Sequence, residues 1–226
     1  MIPLLGRRRK ERRKRIGLAP GSLLESESKE SGPYAIEWYQ YNTDSVSQGS
    51  VSSVGELPES VDSAITWVNI CGTPPAGELE KLGARYGVHP LVLEDIQNVG
   101  QRAKLEDHQS YLFIVFAMLW REKKGLHDEQ VSLLLLPNTV ISIQERSGDV
   151  FGAIRARMQN PKARLRRMAA DYLAYSILDI VVDHYVPALE QLEDRTQELE
   201  TKTLEAGGAM GEINTLRHEL IELRRR

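Results

Sequence analysis

The sequence is poor in the features that mark several common classes of protein. It contains a single cysteine, Cys71, in 226 residues, so no disulfide can form within the chain, which fits a reducing compartment. No apolar segment follows the basic N-terminal stretch, as one would in a secretory signal. The longest apolar runs, Tyr111–Trp120 and Val131–Pro137, fall well short of the roughly 18 residues of a membrane-spanning helix. We interpret both runs as buried strands.

Sequence motifs of catalysis are also missing. The chain has no glycine-rich dinucleotide motif, no P-loop and no nucleophile elbow. Its histidines show no HxxxH or similar spacing, which argues against a zinc site; they are His89, His108, His127, His184 and His218. We interpret His184, which follows Asp183, as a packed or hydrogen-bonded residue. We therefore expect a protein that is not an enzyme.

The net charge of −3 conceals an uneven distribution along the chain. Arg7–Arg15 holds eight Lys and Arg residues around Glu11, and the rest of the chain carries 21 basic and 31 acidic residues. Blocks of like charge are usually solvated tails, although such an arm can also contact anionic lipid or nucleic acid. The acidic body and the lack of aromatic residues within the basic run both argue against nucleic-acid binding. The acidic body instead suits the binding of cations.

The order of patterns along the chain predicts three segments. Residues 1–32 are basic and then rich in Ser and Glu, which is typical of a disordered arm. Residues 33–160 alternate between strand and helix patterns, and residues 161–226 are helical. This order predicts an α/β fold, namely an α/β/α sandwich with a mixed, largely antiparallel sheet, followed by a long helical stalk.

Individual elements follow from hydrophobic periodicity and turn residues. Strands are predicted at Tyr34–Tyr41, Ala64–Ile70, Gln101–Asp107, Ser110–Trp120, Gln130–Leu136 and Thr139–Gln144, with Asn42–Ser53 a loop or weak strand. Helices are predicted at Ala76–Tyr86, His89–Asn98, Val150–Gln159, Arg166–Thr203 and Ile213–Arg226. Pro187 predicts a bend near Asp183, and the Gly207-Gly208 pair a break. Because no stop signal follows Arg226, we expect the native chain to continue.

Two adjacent acids lie on the short helix after His89. We expect Leu91, Val92 and Ile96 to face the core, so that Glu94 and Asp95 point outward. Mg²⁺ prefers oxygen ligands and keeps several of its waters, so a few carboxylates at a boundary are enough to hold it. The alternative is an ordinary solvated helix face, because exposed acidic pairs are common.

A second acidic pair lies on the stalk helix. Asp179 and Asp183 are four residues apart, so both side chains lie on one face of that helix. Like charges at this spacing destabilise a helix slightly unless a cation lies between them. The alternative is a pair of salt bridges to Arg or Lys side chains of the α/β segment.

Four segments, in order, carry a resemblance to a known family. The first is His89–Phe116, HPLVLEDIQNVGQRAKLEDHQSYLFIVF, and the others are Glu129–Glu145, Gly148–Met158 and Ala170–Asp194. Together they resemble the cytoplasmic part of the CorA family of Mg²⁺/Co²⁺ transporters, over about Trp67 to Arg226. The family's Gly-Met-Asn motif is absent, as expected for a chain that ends before the membrane helices.

The resemblance implies the cytoplasmic domain of an inner-membrane transporter that works as a homopentamer and reaches the membrane through helices missing here. It implies that Mg²⁺ binds between subunits and closes the pore, and that the cations of the transporter are Mg²⁺ and, as a second one, Co²⁺. The implied ligands are Glu94, Asp95, Asp179 and Asp183, with a further Asp beyond Arg226.

The same resemblance implies a supporting role for Gln101, Arg102 and Lys104, which would orient the acidic helix through ion pairs. Three alternatives to a Mg²⁺ transporter stay open from the sequence. They are a zinc-transporting relative, a soluble helical scaffold and a nucleic-acid-binding protein.

Overall fold

A computed structural model describes residues 17, 19–24, 34–122, 125–146, 148–206 and 210–224. The basic run Arg7–Arg15, most of the predicted arm and the predicted break at Gly207-Gly208 lie outside the described residues. Within that arm, residues 19–24 lie against the rest of the domain, through backbone hydrogen bonds to Glu94 and Gln97.

The described residues form one seven-stranded sheet. Its strands are β1 Ala35–Tyr41, β2 Val46–Val51, β3 Ile65–Cys71, β4 Lys104–Asp107, β5 Leu112–Glu122, β6 Gly125–Leu135 and β7 Thr139–Gln144. The order across the sheet is β2-β1-β3-β7-β6-β5-β4. Only β3 and β7 pair in parallel, whereas every other neighbouring pair is antiparallel. The prediction of a mixed, largely antiparallel sheet is confirmed.

Helices cover both faces of this sheet and continue after it. They are α1 Ala76–Tyr86, α2 Pro90–Gln97, α3 Gly152–Gln159, α4 Ala170–Asp183, α5 Tyr185–Ala206 and α6 Met210–Arg224, with short 3-10 turns at Val54–Glu56 and Arg164–Arg167. Among the described residues, no helix combines the length and the apolar character needed to cross a membrane.

Two separate cores lie on the two sides of the sheet. On one side, Leu79 and Leu82 of α1 and Val92 and Ile96 of α2 pack with sheet residues such as Phe113. The core on the other side joins the sheet to α3 and α4, and its members include Trp67, Met118, Leu133, Phe151, Ile154, Leu173 and Ile177. Because helices cover both faces, the α/β/α sandwich is confirmed.

Local sequence explains why α1 has the predicted bounds. Leu79 and Leu82 are spaced to bury one face of a helix. Gly87 follows as the C-cap with φ 67°, a left-handed backbone that glycine adopts without a steric penalty. Its N–H bonds to the carbonyl of Gly83, which closes the last turn.

The edge strand β2 was predicted only as a loop or weak strand. The alternation of polar and apolar residues in its sequence, VSQGSV, is weak, because most of its residues are polar and all are at least partly exposed. Gly49 lies opposite Trp38, and a β-carbon at Gly49 would stand 2.9 Å from the indole nitrogen. Pairing with β1, rather than its own hydrophobicity, therefore defines this strand.

The predicted long helix Arg166–Thr203 is present over most of its length but is wrong at its start. Arg166 is buried in a 3-10 turn, where its guanidinium bonds to the carbonyls of Asn42 and Met158, so that α4 begins at Ala170. The helix is then interrupted at His184, close to the predicted bend. His184 keeps right-handed backbone angles of φ −73° and ψ −11°, so α5 follows α4 with little change in the backbone.

After α5, the stalk folds back on itself. Leu192 and Leu199 of α5 pack against Leu216 of α6 in a small core of their own. Arg195 of α5 also forms a salt bridge with Glu219 of α6, at 2.5 Å between Nη1 and Oε2. The two helices therefore form an antiparallel pair that extends from the sandwich.

Candidate metal site

The acidic helix α2 is positioned by its first residues. His89 is the N-cap, and its Nδ1 accepts a hydrogen bond from the Leu91 N–H at 3.2 Å. Pro90 occupies the first turn, where a missing N–H costs no helical hydrogen bond. The His89 N–H donates to the Tyr111 hydroxyl at 3.0 Å, which connects the start of the helix to the residue that precedes β5.

Burial along α2 differs from the prediction at one residue. Val92, Leu93 and Ile96 are buried in the core, whereas Leu91 is 45% exposed. Leu91 lies on the outer side because the buried face is made by the adjacent residues Val92 and Leu93 and by Ile96, which lies one turn further along the helix. Glu94 and Asp95 are each partly exposed, as expected for residues at the edge of that face.

The carboxylate of Asp95 is already held by two side chains of the same chain. The Lys104 Nζ lies 2.5 Å from its Oδ2, and the Gln101 Nε2 donates to its Oδ1 at 2.7 Å. Lys104 also contacts the Glu106 Oε1 at 2.8 Å. Lys104 therefore forms the predicted ion pair with the acidic helix and Gln101 a hydrogen bond, whereas Arg102 forms no ion pair with that helix among the described residues.

The same contacts shift the pKa of Lys104 and of Glu106. Burial disfavours the charged ammonium of Lys104, but hydrogen bonds to Asp95 and Glu106 outweigh it and raise its pKa. The hydrogen bond from Lys104 is also the main cause of the lowered pKa of Glu106. The Lys104 ammonium is thus a fixed positive charge between the carboxylates of Asp95 and Glu106.

Glu94 is held by the N-terminal segment that crosses α2. Its Oε2 accepts the Gly21 N–H at 2.7 Å. One turn on, Gln97 bonds to both backbone groups of Leu24, with its Oε1 accepting at 2.8 Å and its Nε2 donating at 2.8 Å. Residues 19–24 form what we call the α2 strap, a contact that the sequence patterns did not indicate.

The second predicted pair lies on the exposed side of α4. Asp179 and Asp183 are both exposed, and neither forms a salt bridge with Lys or Arg in the part of the chain that the structure describes. The charge of Asp179 and its hydrogen bond to the Tyr175 hydroxyl raise the pKa of Tyr175. The alternative prediction of ion pairs to the α/β segment is therefore wrong for the described residues.

Exposed apolar side chains surround this pair. Tyr175, Val182, Val186 and Leu189 are between 58% and 61% exposed. Their spacings of seven, four and three residues place them along one side of a helical chain. We call these four residues the stalk stripe; Asp179 falls in the same periodic series.

Within one chain, the two acidic pairs do not make a complete metal centre. Among the described residues, no group of three His, Cys, Asp or Glu side chains lies close enough to hold a metal. The Nδ1 of His184 lies 2.8 Å from the Ile180 carbonyl, so the prediction of a hydrogen-bonded histidine is confirmed. Glu94, Asp95, Asp179 and Asp183 stay predicted ligands.

Sequence reasoning missed one unusual acid outside these pairs. Glu129 on β6 is 1% exposed, and its Oε2 has no hydrogen-bond partner. Burial, followed by the nearby charge of Glu145, raises its pKa to about 8. Its place in the β6 sequence GLHDEQVSLLL offers no periodic signal, because the strand is polar at one end and apolar at the other.

The α/β/α sandwich thus continues into a helical stalk, and the four predicted carboxylates on α2 and α4 are at least partly exposed. A family model described as CorA-like Mg²⁺ transporter protein matches residues 62–226. The chain belongs to this CorA family, which confirms the resemblance found in the sequence.

Individual relatives agree with this assignment. The cobalt/magnesium transport protein CorA of Thermotoga maritima is 37% identical over 214 residues, which are 92% of this chain and 61% of that protein. A magnesium transporter of Saccharomyces cerevisiae is 28% identical over 144 residues, or 60% of this chain and 16% of that protein. The chain therefore spans less than two thirds of the length of either relative.

Solved structures share the fold at lower identity. The soluble domain of CorA from Methanocaldococcus jannaschii matches with a TM-score of 0.56 and 19% identity, covering 83% of this chain and 70% of that one. The ZntB cytoplasmic domain from Vibrio parahaemolyticus matches with a TM-score of 0.61 and 11% identity, covering 85% and 74%. At these identities the matches establish the fold alone.

Proposed function

We propose that this chain is the cytoplasmic, metal-sensing part of an inner-membrane transporter for Mg²⁺, with Co²⁺ as a second substrate. It acts as one subunit of a homopentamer that reaches the membrane through helices outside this chain. Mg²⁺ held between neighbouring subunits by Glu94, Asp95, Asp179 and Asp183 keeps the pore closed, and its loss lets ions pass. Transport follows the ion gradient, so no enzymatic step is involved.

The observation that carries the proposal is the position of Asp179 beside the stalk stripe. Exposed apolar patches often mark surfaces that another protein covers. If a second subunit covered this surface, the Asp179 carboxylate would lose water without gaining a cationic side chain of its own chain. Burying an uncompensated charge is costly, and a divalent cation at the boundary supplies the missing positive charge.

The chemistry of the predicted ligands fits Mg²⁺. All four are carboxylates, and hard oxygen donors with bound waters are what Mg²⁺ prefers. Zn²⁺ takes nitrogen and sulfur ligands more readily. The Lys104 ammonium at 2.5 Å from Asp95 supports the proposal, because it demonstrates that a positive charge fits beside this carboxylate.

A thermal unfolding series with increasing MgCl₂ tests the proposal. A ligand that binds only the folded state stabilises it by RT ln(1 + [L]/Kd), about 2.7 kcal/mol at a hundred times Kd. We expect the wild-type melting temperature to rise progressively and saturably. Asp179→Asn should lose most of this rise, because it removes one carboxylate of the shared site.

The matched control is Asp194→Asn, which removes an exposed acid of α5 outside the stalk stripe. It should respond to Mg²⁺ as the wild type does. If the wild type and both variants gain the same stabilisation, the effect is general screening of an acidic domain and the proposed site is wrong. A stronger, Asp179-dependent response to Zn²⁺ than to Mg²⁺ would support the zinc-transporting alternative. A wild type that does not respond would contradict a Mg²⁺ site formed by these four carboxylates.

A further inference from the structure

Lys104 forms an ion pair with Asp95, one of the four predicted metal ligands. It projects from β4, the edge strand of the sheet, and its side chain is 27% exposed. Its Nζ contacts the Asp95 Oδ2 at 2.5 Å and the Glu106 Oε1 at 2.8 Å, and lies 5.2 Å from the ring centre of Phe113. The ammonium is therefore fixed by two carboxylates and one aromatic ring.

Both carboxylate oxygens of Asp95 are in use in this arrangement. Lys104 takes Oδ2, and the Gln101 Nε2 takes Oδ1 while also donating to the Asp95 carbonyl at 3.0 Å. A divalent cation that binds Asp95 directly must therefore displace the ammonium, or bind beside it against like-charge repulsion. In either case Lys104 lowers the apparent affinity of the site.

Glu106 is a second ion-pair partner for the Lys104 ammonium when a cation displaces it from Asp95. Its carboxylate already contacts the Lys104 Nζ, and its pKa is lowered mainly by that hydrogen bond, so it stays ionised at neutral pH. A small movement of the lysine side chain away from Asp95 leaves this second ion pair intact. The Lys104 ammonium therefore keeps an ionic partner after its displacement. Leaving it without a partner would be costly.

We propose that Lys104 is a tethered competitor for the divalent cation at Asp95 and sets the cation concentration at which that site fills. This inference rests on the proposed metal-sensing function. It assigns Lys104 a positioning role: the residue does not bind the metal and acts through the carboxylate that does. Removal of its charge should tighten binding, which is the opposite of the effect expected for a ligand.

The test is a calorimetric titration of the folded chain with Mg²⁺ at constant ionic strength. Lys104→Gln, which keeps the polarity and most of the length of the side chain, should lower the Kd about two- to fivefold. This is the range that corresponds to a partly exposed ion pair. Asp95→Asn should abolish the enthalpy change of the Asp95 site. Lys104→Arg keeps the charge and should leave the Kd within about twofold of the wild type.

Lys81→Gln is the matched control, because Lys81 forms a comparable ion pair with Glu78 on α1, at 2.6 Å. It should leave the Kd for Mg²⁺ unchanged. Circular dichroism melts of each variant establish that it is folded at the temperature of the titration. If Lys104→Gln lost its fold, a tighter Kd in Lys104→Met would serve as the supporting result.

The outcomes separate the two proposals. One outcome is saturable, Asp95-dependent binding in the wild type and in both folded variants, Lys104→Gln and Lys104→Met. If the Kd of the variants then equals or exceeds that of the wild type, the competitor role is overturned and the metal site is retained. Equal tightening in Lys104→Gln and Lys81→Gln also overturns it, because the effect would be one of net charge. Absence of saturable binding in the wild type and in Lys104→Gln contradicts both the metal site and the inference.

Discussion

Glu129 is the residue whose surroundings suit a charge least. It is almost fully buried on β6, and burial together with the charge of Glu145 raises its pKa to about 8. In the unfolded chain its pKa returns to the ordinary value of about 4.5. Between these two values the folded state binds a proton that the unfolded state does not. The contribution of Glu129 to stability is therefore greatest in acid and declines as the pH rises toward 8.

The predicted consequence is a loss of stability between pH 6 and pH 8. The slope from this one group is at most about 1.4 kcal/mol per pH unit. Glu129→Gln, which stays neutral, should flatten this part of the profile. The measurement is the free energy of unfolding from denaturant titrations at a series of pH values.

The control for this prediction is Glu80→Gln, which removes an exposed acid of α1. It should keep the wild-type slope. A wild-type profile that is flat from pH 6 to pH 8, or equal slopes in wild type and Glu129→Gln, would contradict the assignment of a buried, protonated Glu129.

Single residues also show where sequence reasoning reaches its limit. The contacts of Lys104 and Gln101 with the acidic helix were expected and are present. The exposure of Leu91 was not, because the helix is short and three other apolar residues already fill its buried face. Tertiary packing, and not the number of apolar residues, decides which of them is left outside.

At the scale of elements, the α2 strap holds the acidic helix from outside the sheet. It joins Gly21 to Glu94 and Leu24 to Gln97, each through backbone groups of the strap. Backbone contacts of this kind leave no pattern in the sequence of the strap. For this reason the segment could be predicted only from its composition, which is that of a disordered arm.

Gln97→Ala should release the C-terminal part of the strap. It removes both hydrogen bonds to Leu24, each worth about 1 kcal/mol. We expect the Leu24 amide to exchange with solvent about tenfold faster or more, as measured by hydrogen–deuterium exchange. Amides in β7, which is buried throughout, serve as the internal reference.

Gln48→Ala is a suitable control for this change. It removes another side-chain hydrogen bond, between Gln48 and Gln159, that is remote in sequence from the strap. It should leave exchange at Leu24 unchanged. Equal protection of the Leu24 amide in Gln97→Ala and wild type would show that the strap is held by other contacts.

Elements with strong local signals were predictable to within a few residues. The helix α1 and the strand β7 have the bounds that periodicity and turn residues predict. The stalk was less predictable, because its start depends on the long-range contacts of Arg166, and β2 depends on pairing with β1. Local pattern cannot report either kind of contact.

On the scale of the whole molecule, the sequence indicated the layered fold and the family, and both are confirmed. The assembly proposed to join the two acidic pairs stays a prediction. In one chain they do not form a group of three metal-binding side chains among the described residues. The proposed shared site would take its other ligands from a second subunit, and the sequence does not report how two subunits approach each other.

The stalk stripe is the surface that most directly connects the fold to this assembly. Its four apolar residues and Asp179 lie along one side of the α4–α5 helical chain. Contact between subunits there would remove apolar area from water, at about 25 cal/mol per Å². It would also bring Asp179 to a boundary where Mg²⁺ can neutralise it.

Sedimentation velocity of the chain, with and without Mg²⁺ at equal ionic strength, measures whether Mg²⁺ joins subunits. A larger species should form in Mg²⁺, should disappear when the cation is chelated, and should not form with Asp179→Asn. The same sedimentation coefficient for the wild type in both conditions would contradict a Mg²⁺ site shared between subunits.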